Sequence, residues 1–211
     1  MSDISTKSVV IATVVVLAAM LVFSAFTFKP ALDKSSMVLR EEPITKNMKL
    51  QMQPGESYTY TYRFNESEAN LTYTVYQSRE CTGIHLEETT IKADVCLLED
   101  GTDSKGYNST FEKPTVIFFK PWMLALREGW QWNASMYVSM GGILKEVSSA
   151  QFRVLRNESY RGRQAFVVLE NSTDGGIQYE WIDVEKRIVL KTSGEGYGME
   201  LVEGLPLNSS G

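Results

Sequence analysis

Two cysteines and one histidine are the only thiol and imidazole groups in this 211-residue chain, and they bound its chemistry. Cys81 and Cys96 belong to no CxxC motif and no Cys/His cluster, so a structural zinc or a redox dithiol has no ligands. No metal and no cofactor is expected. If Thr82 to Glu87 and Thr90 to Val95 pair as a hairpin turning at Glu88-Thr89, Cys81 falls opposite Cys96, and an oxidising exterior would join them. Two free buried thiols are the alternative. His85 lies between Ile84 and Leu86 in the same hairpin. A Ser/His/Asp or Cys/His mechanism would have to use it, yet no Gly-x-Ser-x-Gly elbow accompanies it. Glu87-Glu88 and Glu99-Asp100 sit in turns, where solvated charge is the ordinary explanation and a glycosidase pair the rare one. Gly194-Glu-Gly-Tyr-Gly is followed by no helix that could supply amides to a phosphate. The expectation is a non-enzymatic protein with no catalytic residue; a hydrolase survives only if polar groups converge in a pocket.

The most specific signal is a modification motif. Seven of the eight asparagines stand in Asn-x-Ser/Thr without proline: Asn65, Asn70, Asn108, Asn133, Asn157, Asn171 and Asn208. Chance would place about one of them in that context. Spread over the region beyond residue 30, they imply exposure to an oligosaccharyl transferase on the far side of a membrane. Several coincide with turn chemistry, which explains the asparagine but not the Ser or Thr two residues later.

A membrane is implied independently. Val9 to Phe28 carries no charge and is flanked by Lys7 and Lys29, the length needed to cross roughly 30 Å of hydrocarbon. A cleaved signal peptide is the rival, but Ser24 to Phe28 offers no clean small-x-small site. Lys29, Lys34 and Arg40 balance Lys7 and the terminal amine, so flanking charge does not orient the helix. The sequons do, placing the remainder outside the cytoplasm in the cell envelope or at its surface. The expected organisation is a short cytoplasmic tail (1–8), an uncleaved signal-anchor (9–28), a stalk with Pro30 and Pro43 (29–53), an extracytoplasmic domain (54–205) and a tail (206–211). A net charge of -5 without a Lys/Arg run excludes a nucleic-acid partner.

Period-two alternation dominates the exterior region. Tyr58, Tyr60, Tyr62 and Phe64 alternate with Thr59, Thr61 and Arg63, and Leu71, Tyr73, Val75 and Ile91, Ala93, Val95, Leu97 repeat the pattern. Thr115 to Phe119 reads as a more fully buried strand. Lys120 to Arg127, with Pro121 in its first turn, is the one plausible short helix. Trp130 to Ser139, Ile143 to Arg156, Arg163 to Glu170, Ile177 to Asp183, Arg187 to Thr192 and Tyr197 to Glu203 complete about ten strands. They imply a mainly β antiparallel meander curled into an open or half barrel. On such a sheet Tyr58, Tyr60, Tyr62, Phe64, Tyr73, Trp122, Trp130, Trp132 and Trp181 would line the concave face. They would either form an apolar ligand cavity or fill the core.

Gly129-Trp130, Tyr160-Arg-Gly-Arg-Gln-Ala-Phe-Val-Val and Tyr179-Glu-Trp-Ile-Asp-Val-Glu-Lys-Arg-Ile-Val-Leu-Lys together resemble the LolA-like extracytoplasmic proteins, chiefly in the last third of the chain. There a strand bearing Trp-x-Asp precedes a turn and a returning strand in an open, barrel-like meander, and members carry or sense lipids and lipoproteins. The resemblance implies a lipid or isoprenoid ligand. The anchor and the sequons depart from that pattern and argue against a shuttle between membranes. The expected function is thus a membrane-anchored, N-glycosylated binding module. The alternative is a structural or assembly protein of the cell surface, such as a surface-layer or pilus accessory subunit.

Overall fold

The computed structural model describes residues 36–65, 67–87, 92–104, 116–140 and 143–205. The apolar run 9–28, both tails, Asn108 and Asn208 lie outside them. Where described, the chain is mainly strand: β1 (Ser36–Glu41), β2 (Ser57–Phe64), β3 (Ser67–Gln77), β4 (Thr82–Glu87), β5 (Lys92–Leu97), β6 (Gln131–Met140), β7 (Ile143–Tyr160), β8 (Arg163–Ser172), β9 (Gly176–Asp183), β10 (Val189–Gly194) and β11 (Tyr197–Glu203). The one described helix is a 3-10 turn, Pro121–Ala125, where the short helix was expected.

The eleven strands form one antiparallel sheet, in the order β1-β6-β7-β8-β9-β10-β11-β2-β3-β4-β5, that does not close into a barrel. Two meanders, β2 to β5 and β6 to β11, are joined by the β11–β2 ladder, in which Met199 pairs with Tyr62 and Leu201 with Tyr60. Turn chemistry sets the local registers. Arg161 (φ 48°) and Gly162 (φ 84°) are both left-handed, the geometry of a type I′ hairpin that matches strand twist. By contacts the described chain divides in two: residues 36–38 with 137–147, and residues 39–136 with 148–205.

The core belongs to the larger unit. Tyr58, Tyr60 and Tyr73 are buried, as the alternation of β2 and β3 requires. Phe118 lies among them, with ring centroids 5.5, 5.5 and 4.6 Å away. The run containing Phe118 is not the strand that was expected: residues 116–119 are irregular, although Val116, Phe118 and Phe119 are buried. Instead of joining a ladder, it lies on the sheet's apolar face, with the Phe118 carbonyl accepting from Val189 N at 2.8 Å. Apolar composition marks burial, and only the neighbours decide whether a buried segment pairs as a strand. The segment expected as a stalk also joins the fold from Ser36 onward. It supplies β1 and the buried Met52, and its amides bond outward, Asn47 N to Leu124 O (3.1 Å) and Leu50 N to Glu99 O (2.9 Å).

The disulfide forms, with Cα atoms 5.5 Å apart. The expected register does not: Gly83 pairs with Cys96 and Thr82 with Leu97, two residues displaced from Cys81 opposite Cys96. A shift of two preserves which face each side chain occupies, so the cysteines still meet, diagonally.

The Trp-x-Asp segment ends β9 on a buried ion pair. Asp183 is buried, accepts from Arg163 of β8 through both carboxylate oxygens, and also takes the amides of Glu185 (3.0 Å) and Lys186 (2.7 Å). It thereby neutralises a half-buried arginine and ties down the turn into β10.

Two stability predictions follow from these links. Reduction, or the double variant C81S/C96S, should lower unfolding free energy by about 3 kcal/mol through loop entropy, read by denaturant titration; unchanged midpoints would contradict it. Asp183→Ala leaves Arg163 only the exposed Glu185 (3.0 Å) and frees two turn amides, so a loss of about 3 kcal/mol is expected, measured by thermal unfolding against the exposed Glu203→Ala as control.

Candidate functional site

Between Val116 and Leu126 a single charged residue interrupts an otherwise apolar run: Lys120. It precedes the 3-10 turn, where its carbonyl accepts from Met123 N at 3.0 Å. A cation in a buried segment needs an acid near it. Two are supplied by the sheet, Glu170 near the end of β8 and Glu180 in the middle of β9. Together with Ile117, Trp122, Phe152, Gln178, Thr192 and Tyr197 they line a pocket of about 250 Å³.

Register explains the convergence. Glu170 pairs with Gln178, and Glu180 pairs with Thr192 across to β10. Residues two apart share a face, so Gln178, Glu180 and Ile182 all turn toward the buried side. The two hydrogens of Gln178 Nε2 are divided between the acids, one to Glu170 Oε2 and one to Glu180 Oε1, each at 2.9 Å. Glu180 also hydrogen-bonds the carboxyl of Glu170. Trp122 Nε1, of the same pocket, is buried without a hydrogen-bond partner.

Burial dominates the electrostatics. Desolvation, reinforced by the neighbouring Glu170, pushes Glu180 up to about 8, which favours its neutral form. Glu170 is also raised by burial, partly offset by the charge of Lys120. Lys120 is itself pushed down to about 8 by burial, against the pull of Glu180 and Glu170. Trp122 forms an aromatic wall, stacked on Trp130 at 5.6 Å and tilted against Phe152 at 4.9 Å.

The nine aromatics expected around a cavity are placed differently from one another. Trp122 lines the pocket. Tyr62 does not line it, but its ring lies 5.2 Å from that of Tyr197, which does. Tyr58, Tyr60, Tyr73, Trp130 and Trp132 pack in the core, where Tyr60 Oη donates to Val189 O and Trp132 Nε1 to Glu42 O, both at 2.7 Å. Phe64 is 54% exposed at the end of its strand. Trp181 lies on the face opposite Glu180, donating to Glu158 Oε1 at 2.6 Å beneath Lys191. Sequence reasoning favoured the aromatic phase of Tyr179-Glu-Trp-Ile-Asp and so missed Glu180. The available signals were Lys120, alone in its apolar run, and the polar phase Gln178-x-Glu180.

The other chemical candidates have structural partners. His85 Nδ1 bonds Asp94 Oδ1 at 2.9 Å across an exposed pair of strands. Glu99 and Asp100 bind Lys49 and Lys46 at 2.6 and 3.2 Å, fastening the segment before β2 to the end of β5. Asn65, Asn70, Asn157 and Asn171 are exposed, whereas Asn133 is half-buried and donates to Glu42 Oε1 at 2.6 Å. Among the described residues no group of three metal-ligating side chains converges. The chain matches no protein-family model, and no curated protein matches it.

The charge state of the pocket is testable through stability. A folded-state pKa raised above the unfolded value adds stability at low pH and loses it as pH rises through the folded value. For Glu180 that loss runs from its ordinary 4.5 up to about 8. Lys120 acts oppositely, its contribution being full above its ordinary 10.5 and lost as pH falls through about 8. Relative to Glu180→Gln, the wild-type melting temperature should therefore fall between about pH 5 and pH 8.5. Parallel melting profiles over that range would show that Glu180 is not buried in its neutral form.

Proposed function

We propose that this protein is a non-enzymatic binding module, anchored in a membrane by residues 9–28 and displayed, N-glycosylated, outside the cytoplasm. Its pocket takes the polar head of a lipid or isoprenoid ligand. The observation that carries the ligand reading is the convergence of Lys120, Glu170 and Glu180 in one pocket beside an aromatic wall. A neutral carboxylic acid offers a hydroxyl and a carbonyl oxygen, the ammonium of Lys120 donates, and Glu170 accepts. A small head bearing hydroxyl or amine groups meets all of these and stacks on Trp122. The cavity is too small for a long acyl chain as well. The aliphatic part would extend from the mouth, consistent with an open, curled sheet of the LolA-like kind.

The exposed asparagines support the glycosylated exterior, since four of the seven sequons are open to a transferase. The disulfide fits the same oxidising compartment.

Native mass spectrometry of the detergent-solubilised full chain should reveal a co-purifying lipid. Glu180→Ala should weaken its retention about tenfold, the loss of one buried hydrogen bond of about 1.4 kcal/mol. Glu180→Gln, isosteric with the neutral acid, should retain it near pH 7. Ligand-free spectra at several expression levels would overturn the reading, and conversion of the bound molecule over time would mark an enzyme instead.

A further inference from the structure

The start of β7 exposes an apolar side chain on each of its faces, Ile143 on one and Leu144 on the other. Alternation along β7 puts Ile143 and Val147 on one face of the strand and Leu144 on the other. Ile143 is 73% exposed, the most of any large hydrophobic among the described residues, with Leu144 at 44% and Val147 at 42%. Protein partners that dock on a sheet cover one face. A tip that exposes apolar side chains on both faces suits a medium that surrounds it.

Chain length says which medium is within reach. β1 lies beside β6 in the antiparallel sheet, with Glu42 N donating to Asn133 O at 3.0 Å, so β1 begins, at Ser36, toward the Met140 end of β6. Residues 29 to 35 alone separate Ser36 from the end of the apolar run at Phe28, and fully extended they span at most about 25 Å. On the reading that 9–28 crosses a bilayer, on which this inference rests, the start of β1 lies no more than about 25 Å from the end of the span, so the hairpin end is within reach of the lipid surface.

We propose that the hairpin end carrying Ile143 and Leu144 enters the lipid headgroup layer beside the anchor, seated roughly 5–10 Å deep as amphipathic segments are. Lys145 and Glu146 follow directly and are exposed. The lysine stem lies along apolar surface while its ammonium stays among the headgroups. Two apolar side chains add little to the hold of a spanning helix. Their effect is a second point of attachment, at the hairpin tip.

The test uses the full chain reconstituted in phosphatidylcholine vesicles, with an environment-sensitive fluorophore at Ile143→Cys, Leu144→Cys or, as control, the exposed Gln164→Cys at the far end of β7 and β8. Flotation of the vesicles first reports whether the chain is anchored. The labels at 143 and 144 should shift to the blue and lose emission to brominated lipid, while the label at 164 does neither. Co-flotation with all three labels equally unquenched by brominated lipid would overturn the hairpin proposal and leave the anchor standing. Failure to float would overturn both. Labels shielded from aqueous iodide but untouched by brominated lipid would mean that a protein covers the tip, which also overturns it.

Discussion

An extended sheet with one apolar face must cover that face with something, and the only helix among the described residues is the 3-10 turn Pro121–Ala125. The covering is the irregular segment 116–126, whose Val116, Phe118, Phe119, Trp122, Met123, Leu124 and Leu126 are all buried. Phe118 sits against three tyrosines contributed by β2 and β3, while its carbonyl bonds β10. One residue thus touches both meanders at the place where the β11–β2 ladder joins them. Loss of this contact would expose the apolar sides of both at once.

The same segment creates the pocket. Having no ladder to satisfy, it can carry a cation across the sheet face, and Lys120 arrives over Glu170 and Glu180 because the chain around it is held by Phe118 on one side and Trp122 on the other. Two carboxyl groups in so little water cannot both ionise cheaply. Lys120 stabilises one charge, Gln178 is shared between the acids, and Glu180 favours its neutral form. Replacing such a cluster by apolar side chains would often stabilise a fold. Buried, mutually perturbed titratable groups of this kind concentrate at functional sites.

Much of the local architecture was legible in the residues. The alternation of β2, the turn at Arg161-Gly162, the hairpins of the second half and the pairing of Cys81 with Cys96 each depend on neighbours a few residues apart in sequence, where period and turn chemistry act directly. Trp181 shows where that reasoning fails. In a strand whose two phases are Tyr179 and Trp181 against Gln178 and Glu180, hydrophobicity points the aromatics inward. The fold does the opposite, because Ile182 of the polar phase joins the core and Lys191 with Tyr160 covers Trp181 from outside.

The sequence by itself therefore determined a β-rich chain with a disulfide hairpin and an apolar N-terminal run. Those features rest on composition, period and short spacings. Only the tertiary structure decided that β11 pairs with β2, that an apolar run lies across the sheet instead of within it, and that Lys120 meets two acids from strands far along the chain. Such contacts have no local signature, since their energy comes from burial shared among segments that are distant in sequence and meet only when the sheet is assembled.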